Sequence, residues 1–167
     1  MFKKILLLIA VLLPMSALAQ KFATVDLQEI IPALPEFAAM NTQLEASGKQ
    51  YQEELQKLQT ETEKLFAEYQ TIADDPNTPQ SIKDRRMQEI QERAQKIEQF
   101  REQAQSDINR QQAQLLAPIQ QKVAAAITAV GQEAGYTFIF AKDDSMVLYS
   151  GSDVVDATPA LKAKLGI

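Results

Sequence analysis

The sequence predicts a mainly α-helical protein with a small β body (α+β), in which a long antiparallel helical hairpin projects from a sheet of short antiparallel strands. Apolar residues recur at every seventh position through the middle of the chain, as in a coiled coil. A turn rich in Pro and Asp, residues 74–79, divides that stretch into two halves. Short β-prone segments stand near both ends of the chain.

The hairpin, called the arm below, is expected to span residues 36–117 with its tip at 74–79. Two apolar seams joined by a short turn bury their stripes by antiparallel pairing, within the chain or with another chain. An arm of about 38 residues is roughly 57 Å long. The seam residues of the ascending half are Phe37, Leu44, Tyr51, Leu55, Leu58, Leu65, Tyr69 and Ile72. Those of the descending half are Met87, Ile90, Ala94, Ile97, Ile108 and Leu115, with Arg101 and Gln111 as interruptions.

Residues 1–19 have the features of a secretory signal peptide. Lys3 and Lys4 precede the apolar run 5–13, and Ala17 and Ala19 form a small-residue cleavage signal. The apolar run is too short to span a bilayer. We therefore expect an exported protein that is cleaved after about Ala19 and is not stably inserted in a membrane. Loss of two lysines changes the formal net charge from -5 to about -7.

Composition argues against several classes of function. The chain has no His, Cys or Trp, so the usual general base, the thiol nucleophile and the commonest zinc ligands are missing. The carboxylate pairs Asp74-Asp75 and Asp143-Asp144 lie in predicted turns, where Asp is common for backbone reasons. We predict that the protein is not an enzyme and has no cofactor or metal. Its acidic charge also argues against binding nucleic acid.

The body is expected to comprise residues 20–35 and 118–167, with strands at about 21–27, 136–141 and 146–149. A polar turn at 142–145 is expected to join the last two strands into a hairpin. The segment around Pro32 is expected to form a single broken turn, residues 153–156 a connecting turn, and residues 158–165 a capped helix.

Two prolines are expected to mark the junction between arm and body. Pro35 suits the first position of a helix, and Pro118 lies equally far from the tip in the other half. We predict a kink at Pro118 that redirects the chain into the body. The apolar segment 119–130 predicts a helix buried on most sides, which Gly135 ends in a left-handed conformation.

The two ends of the mature chain carry a series of specific motifs, whereas the hairpin alone matches any coiled coil. In chain order they are Val25-Asp26-Leu27, Ile30-Ile31, Pro35-Glu36, Gly135-Tyr136, Phe138-Ile139, Val147-Leu148-Tyr149 and 153–156. With the signal peptide and the Gln/Glu/Lys-rich hairpin between them, they resemble the periplasmic Skp/OmpH family of chaperones throughout the mature chain.

The resemblance implies a homotrimer in the periplasm, in which short strands of three subunits build a β body and three helical arms surround a cavity. Such proteins hold unfolded outer-membrane β-barrel proteins without ATP. The partners implied are therefore unfolded outer-membrane proteins and two further copies of the chain. The best-known members have strongly basic surfaces, whereas this chain is acidic. The resemblance therefore implies no lipopolysaccharide-binding residues in this chain.

Two groups of arm residues are candidates for function. Client contact or arm flexibility is expected of Gly48, Tyr51, Phe66, Tyr69 and Phe100. At Gly48 the alternatives are close helix approach, simple tolerance of glycine, or a weak point that lets the arm flex. A locally basic stretch near the tip is either a solvated face paired with nearby acids or a patch that steers an anionic partner. It consists of Lys83, Arg85, Arg86, Arg93 and Lys96.

An alternative function is an envelope structural or adaptor coiled-coil protein that docks a partner through the hairpin tip. In that case, scrambling residues 74–79 abolishes function. A chaperone tolerates the scrambled tip, but charges placed on the client-facing side of its arms weaken client binding.

Overall fold

The computed structural model describes residues 20–143, 147 and 149–167. The predicted signal peptide, 1–19, lies outside the described residues, as do Met146 and Leu148 of the predicted third strand. The elements in chain order are β1 (Phe22–Val25), α1 (Leu27–Ala33), α2 (Pro35–Ala73), α3 (Gln80–Ala134), β2 (Phe138–Ala141), β3 (Val155–Asp156) and α4 (Thr158–Leu165). The described residues divide into two compact units, the body unit (within 20–37 and 119–167) and the arm unit (38–118).

The arm unit contains most of α2 and the first part of α3. Side-chain contacts pair Tyr51 with Asp107, Glu61 with Arg93 and Glu68 with Arg86. Residues further along α2 thus meet residues earlier in α3, so these helical segments run antiparallel, as predicted. Helix α2 begins at Pro35, which confirms the predicted first position.

Helix α3 does not end at Pro118 but continues to Ala134. Gly135 follows with a φ of 67°, which confirms the predicted left-handed glycine. The Tyr136 N–H donates to the Gly131 carbonyl at 2.9 Å, the bond that closes such a helix end. Because proline has no N–H, α3 lacks one backbone hydrogen bond at Pro118. The residues on both sides of Pro118 are nevertheless helical.

The sheet of the body unit is parallel, so the predicted antiparallel sheet is wrong. Its order is β2-β1-β3, and Ala23 of the central strand pairs with Ile139 on one side and Val155 on the other. Parallel pairing requires a crossover of about a dozen residues or more. Helices α1–α3 provide the crossover between β1 and β2. Asp144 and Ser145 of the predicted turn 142–145 lie outside the described residues.

The third strand is also not the predicted one. Val147 and Tyr149, the described residues of the predicted strand 146–149, are not in a strand. Val155–Asp156, predicted as a turn, forms β3 instead. A strand of two residues carries almost no periodic signal, and it forms here because β1 offers it a free edge.

The core of the body unit lies where α1, α3 and α4 cover one face of the sheet. The Asp26 carboxylate caps α1 by accepting from the Glu29 N–H at 3.0 Å, so residues 27–33 form a helix rather than the predicted single turn. The Asp26 N–H donates to the buried Thr158 hydroxyl at 2.9 Å, which ties α4 to the end of β1. The buried cluster comprises Ala23, Val25, Ile30, Ala126, Val130, Ala157 and Leu161.

The part of α3 in the body unit buries one face only. Ile119, Val123 and Val130 are buried, whereas Ala124 and Ala125 are exposed. The prediction of burial on most sides is therefore not met within a single chain.

Candidate functional site

The arm unit carries an open depression beside a pair of aromatic rings. Tyr51 of α2 and Phe100 of α3 lie with ring centroids 6.0 Å apart and planes inclined at 59°, a tilted arrangement that aromatic pairs favour. The depression has a volume of about 410 Å³. We call it the arm depression, and its lining residues are Gly48, Tyr51, Gln52, Leu55, Phe100, Arg101, Ala104, Gln105 and Ile108. Three of the five client-contact or flexibility candidates thus meet at one place.

Gly48 keeps one side of the arm depression open. A Cβ atom added at this position meets no atom within 4 Å, so close approach of the second helix is not the reason for glycine here. Helix α2 continues through it, although glycine in a helix costs about 1 kcal/mol relative to alanine. Gly48 therefore leaves space at the expense of local helix stability.

Asp107 fastens the two helices beside the arm depression. Its carboxylate accepts hydrogen bonds from the Tyr51 hydroxyl at 3.2 Å and from Gln103 Nε2 at 2.9 Å, and it forms an ion pair with Arg110. The Gln103 hydrogen bond, aided by Arg110 and Tyr51, lowers the pKa of Asp107. Desolvation, followed by the Asp107 charge, raises the pKa of Tyr51, so the tyrosine stays a neutral donor.

We expect this carboxylate to make the stability of the arm depend on pH. The ordinary pKa is 3.8 and the folded-state pKa is lower. Its contribution is therefore complete above the ordinary value and is lost as pH falls through the folded-state value. In thermal melts followed by circular dichroism, Asp107→Asn should melt below the parent at about pH 7, and the difference should shrink in acid, below the ordinary pKa of 3.8.

The matched control for this pH dependence is Glu102→Gln, because Glu102 is an exposed carboxylate in the same helix. It should differ little from the parent at either pH. An Asp107→Asn variant that melts with the parent at neutral pH would show that the carboxylate does not fasten the helices.

The predicted seam is only half covered in a single chain. Of the seam residues named above, Ile97 is buried, Ala94 is exposed and the rest are half-buried. The candidates outside the arm depression follow the same trend, with Tyr69 half-buried and Phe66 46% exposed. The arm therefore offers apolar surface to a partner along much of its length.

The basic stretch near the tip is largely engaged by neighbouring oxygens. Arg93 reaches Glu61 at 3.3 Å, Arg86 reaches Glu89 at 2.9 Å, and Lys83 Nζ donates to the Ala73 carbonyl at 2.7 Å. Arg85 and Lys96 are exposed and have no ion pair within the part of the chain that the structure describes. The positive charge available to a partner is thus smaller than the sequence suggests.

The body unit carries a second apolar surface, on the side of the sheet opposite the core. Phe138 stacks on Phe22 at 6.1 Å and on Phe140 at 5.9 Å. Phe138 is 56% and Phe140 47% exposed. We call this surface the aromatic face; a depression of about 460 Å³ on it is lined by Phe22, Thr24, Phe140, Val147, Tyr149, Ser150 and Val154. The aromatic face was not predicted from the sequence, although the alternation in Phe138-Ile139-Phe140 places both phenylalanines on one side of a strand.

The tip is held by the side chain of Asp75. It accepts from the Asn77 N–H at 3.0 Å and from the Thr78 hydroxyl at 2.8 Å, bonds that lower the pKa of Asp75.

Among residues 20–143, 147 and 149–167, no group of acidic residues is arranged to hold a metal ion. None of the helices in this part of the chain is both long and apolar enough to cross a membrane.

The described residues form an antiparallel helical arm and a small parallel-sheet body, and each of the two exposes apolar surface. The family model described as "Outer membrane protein (OmpH-like)" matches residues 21–165, and the chain belongs to this family. A search of curated proteins finds no match. Members of the family are periplasmic chaperones of outer-membrane proteins and not enzymes, which supports a chaperone role at the level of the family.

Proposed function

We propose that this protein is an ATP-independent periplasmic holdase, a homotrimer that binds unfolded outer-membrane β-barrel proteins between its helical arms and prevents their aggregation. The observation that carries the proposal is the family match over 21–165, which extends from β1 through the whole arm to the end of α4. The match therefore includes both apolar surfaces described above.

The arm supplies the kind of surface that such clients need. A strand of an outer-membrane barrel is apolar on alternate residues and aggregates in water before it reaches lipid. A holdase binds the unfolded chain in preference to the folded one and so lowers the free, aggregation-prone population. Half-buried seam residues along α2 and α3 provide many weak apolar contacts, and contacts on several arms add up through effective concentration.

The aromatic face supports the trimer. Helices cover one face of the sheet only, and the outer edges of β2 and β3 have no strand partner within the described residues. The exposed rings of Phe138 and Phe140 lie on β2, one of these edge strands, and are the chemistry expected at a subunit interface. Two further copies of the chain are therefore the proposed partners of this face.

The proposal is tested with the mature protein, from residue 20 onward. Light scattering should give the mass of a trimer. One trimer per client should keep an outer-membrane protein soluble after dilution from urea without ATP, whereas an equal mass of serum albumin should not. A monomer that leaves the client to aggregate would overturn the proposed function.

The tip distinguishes the holdase from the adaptor. The adaptor requires the surface of residues 74–79, whose fold depends on Asp75. A trimer with this turn replaced by an unrelated loop should keep the client soluble as the parent does. Complete loss with the arm helices intact would favour docking through the tip.

A further inference from the structure

We propose that the arm depression binds one aromatic side chain of an extended client segment, and that Arg101 at its rim selects segments with a carboxylate near that ring. This inference rests on the proposed function and names the chemistry that one site on the arm recognises. It concerns the arm unit alone, since all nine lining residues lie within 38–118.

The shape of the arm depression suits a ring. Tyr51 and Phe100 form one tilted pair at 6.0 Å, and an added ring beside them makes the same kind of contact. The rest of the floor includes the apolar side chains of Leu55, Ala104 and Ile108. A volume of about 410 Å³ exceeds that of a single aromatic side chain, and Gly48 leaves the space unfilled.

Charge complementarity identifies the rest of the occupant. Arg101 is the only charged residue among the nine that line the arm depression, although the protein as a whole is acidic. It pairs with Glu98 through one nitrogen at 2.7 Å, and both side chains are largely exposed. Such a surface pair is weak, and a guanidinium has further N–H donors for a second carboxylate. Asp107, six residues further along α3, is already engaged by Tyr51, Gln103 and Arg110.

Outer-membrane proteins supply this occupant. Girdles of aromatic residues flank the apolar band of their barrel strands, so the position two residues beyond a girdle ring, on the same side of the strand, lies outside that band. A carboxylate at that position can reach Arg101 while the ring fills the depression. Segments with lysine at that position should bind less well.

The test uses three fluorescent peptides that differ at two positions only: tyrosine with aspartate two residues away, tyrosine with lysine two residues away, and leucine with aspartate two residues away. The parent trimer should bind the first peptide best. A Cβ atom at residue 48 meets no atom within 4 Å, so Gly48→Leu should place a side chain in the depression, weaken that binding about fivefold and remove the preference for tyrosine over leucine. Arg101→Gln should remove the preference for aspartate over lysine and keep the preference for tyrosine.

Ala46→Leu is the matched control, because Ala46 is exposed and lies about 200° around α2 from Gly48. It should bind all three peptides as the parent does. Folding of Gly48→Leu is checked by its melting temperature, which should not fall, since leucine favours helix over glycine. Light scattering checks that its oligomeric state is unchanged.

Three results would overturn the inference. The first is that Gly48→Leu and the parent bind the tyrosine peptides equally, and the second is that the parent binds no peptide. The third is a changed oligomeric state in Gly48→Leu, which would mean that a second copy of the chain occupies the depression. Each can occur while the parent keeps clients soluble after dilution from urea, so failure here is distinct from failure of the proposed function.

Discussion

Ile30→Ala should lower the free energy of unfolding by about 2–5 kcal/mol, the usual range for deleting a fully buried isoleucine side chain. Ile30 is 0% exposed and belongs to the buried cluster of the body unit. Other members of this cluster come from distant parts of the chain, including Ala126, Val130 and Leu161. Since backbone elements hold these residues in place, the cavity left by alanine closes only in part.

The measurement is urea unfolding at one protein concentration, because the stability of an oligomer depends on concentration. Ile167→Ala makes the same chemical change in the body unit at a residue that is 37% exposed, and it should alter the free energy by less than about 0.5 kcal/mol. Equal, small losses in the two variants would mean that the cluster is not the core.

Phe138→Asp should convert the proposed trimer to monomers with little loss of helix. Phe138 is the middle ring of the aromatic face and is 56% exposed in one chain, so a single subunit tolerates aspartate there. In an assembly that covers this face, the same change buries three unpaired carboxylates. An uncompensated buried charge costs about 3–5 kcal/mol, which is enough to dissociate a subunit interface at micromolar concentration.

Light scattering gives the mass of the Phe138→Asp variant, and circular dichroism reports its helix content. Phe66→Asp is the control, because Phe66 is 46% exposed but lies in the arm unit, and it should remain a trimer. If Phe138→Asp keeps the trimer mass, another surface holds the subunits together. Loss of client protection in the monomer would also connect assembly to the holdase function.

The arm was largely predictable because its signals are local. The seven-residue repeat, the Pro- and Asp-rich tip and Pro35 act within one or two helical turns, and α2 and α3 follow them. The alignment of one helix against the other is not local. Tyr51 and Phe100 were therefore candidates from sequence, but their contact depends on the pairing of the two helices.

The roles of Asp107 and Arg101 depend on the second helix of the arm and cannot be recognised from their own helix alone. In the sequence, Asp107 reads as a solvated residue, because nothing near it in the chain indicates Tyr51. Arg101 reads as an interruption of the seam, and its place at the rim of the arm depression emerges only when both helices are present. The role of either residue depends on a partner that is about 50 positions away.

Local patterns in the sequence predict the two long helices, the tip and the left-handed Gly135. The motifs at the two ends also predict membership of the OmpH-like family, and the family model confirms this membership. The parallel direction of the strands, the position of β3 at Val155–Asp156 and the surfaces around Phe138 and Gly48 are known only from the tertiary structure, because they depend on contacts between residues far apart in the chain. Helix periodicity and capping are satisfied within a few residues, whereas strand direction and surface shape depend on which distant segments meet and how the chain crosses between them.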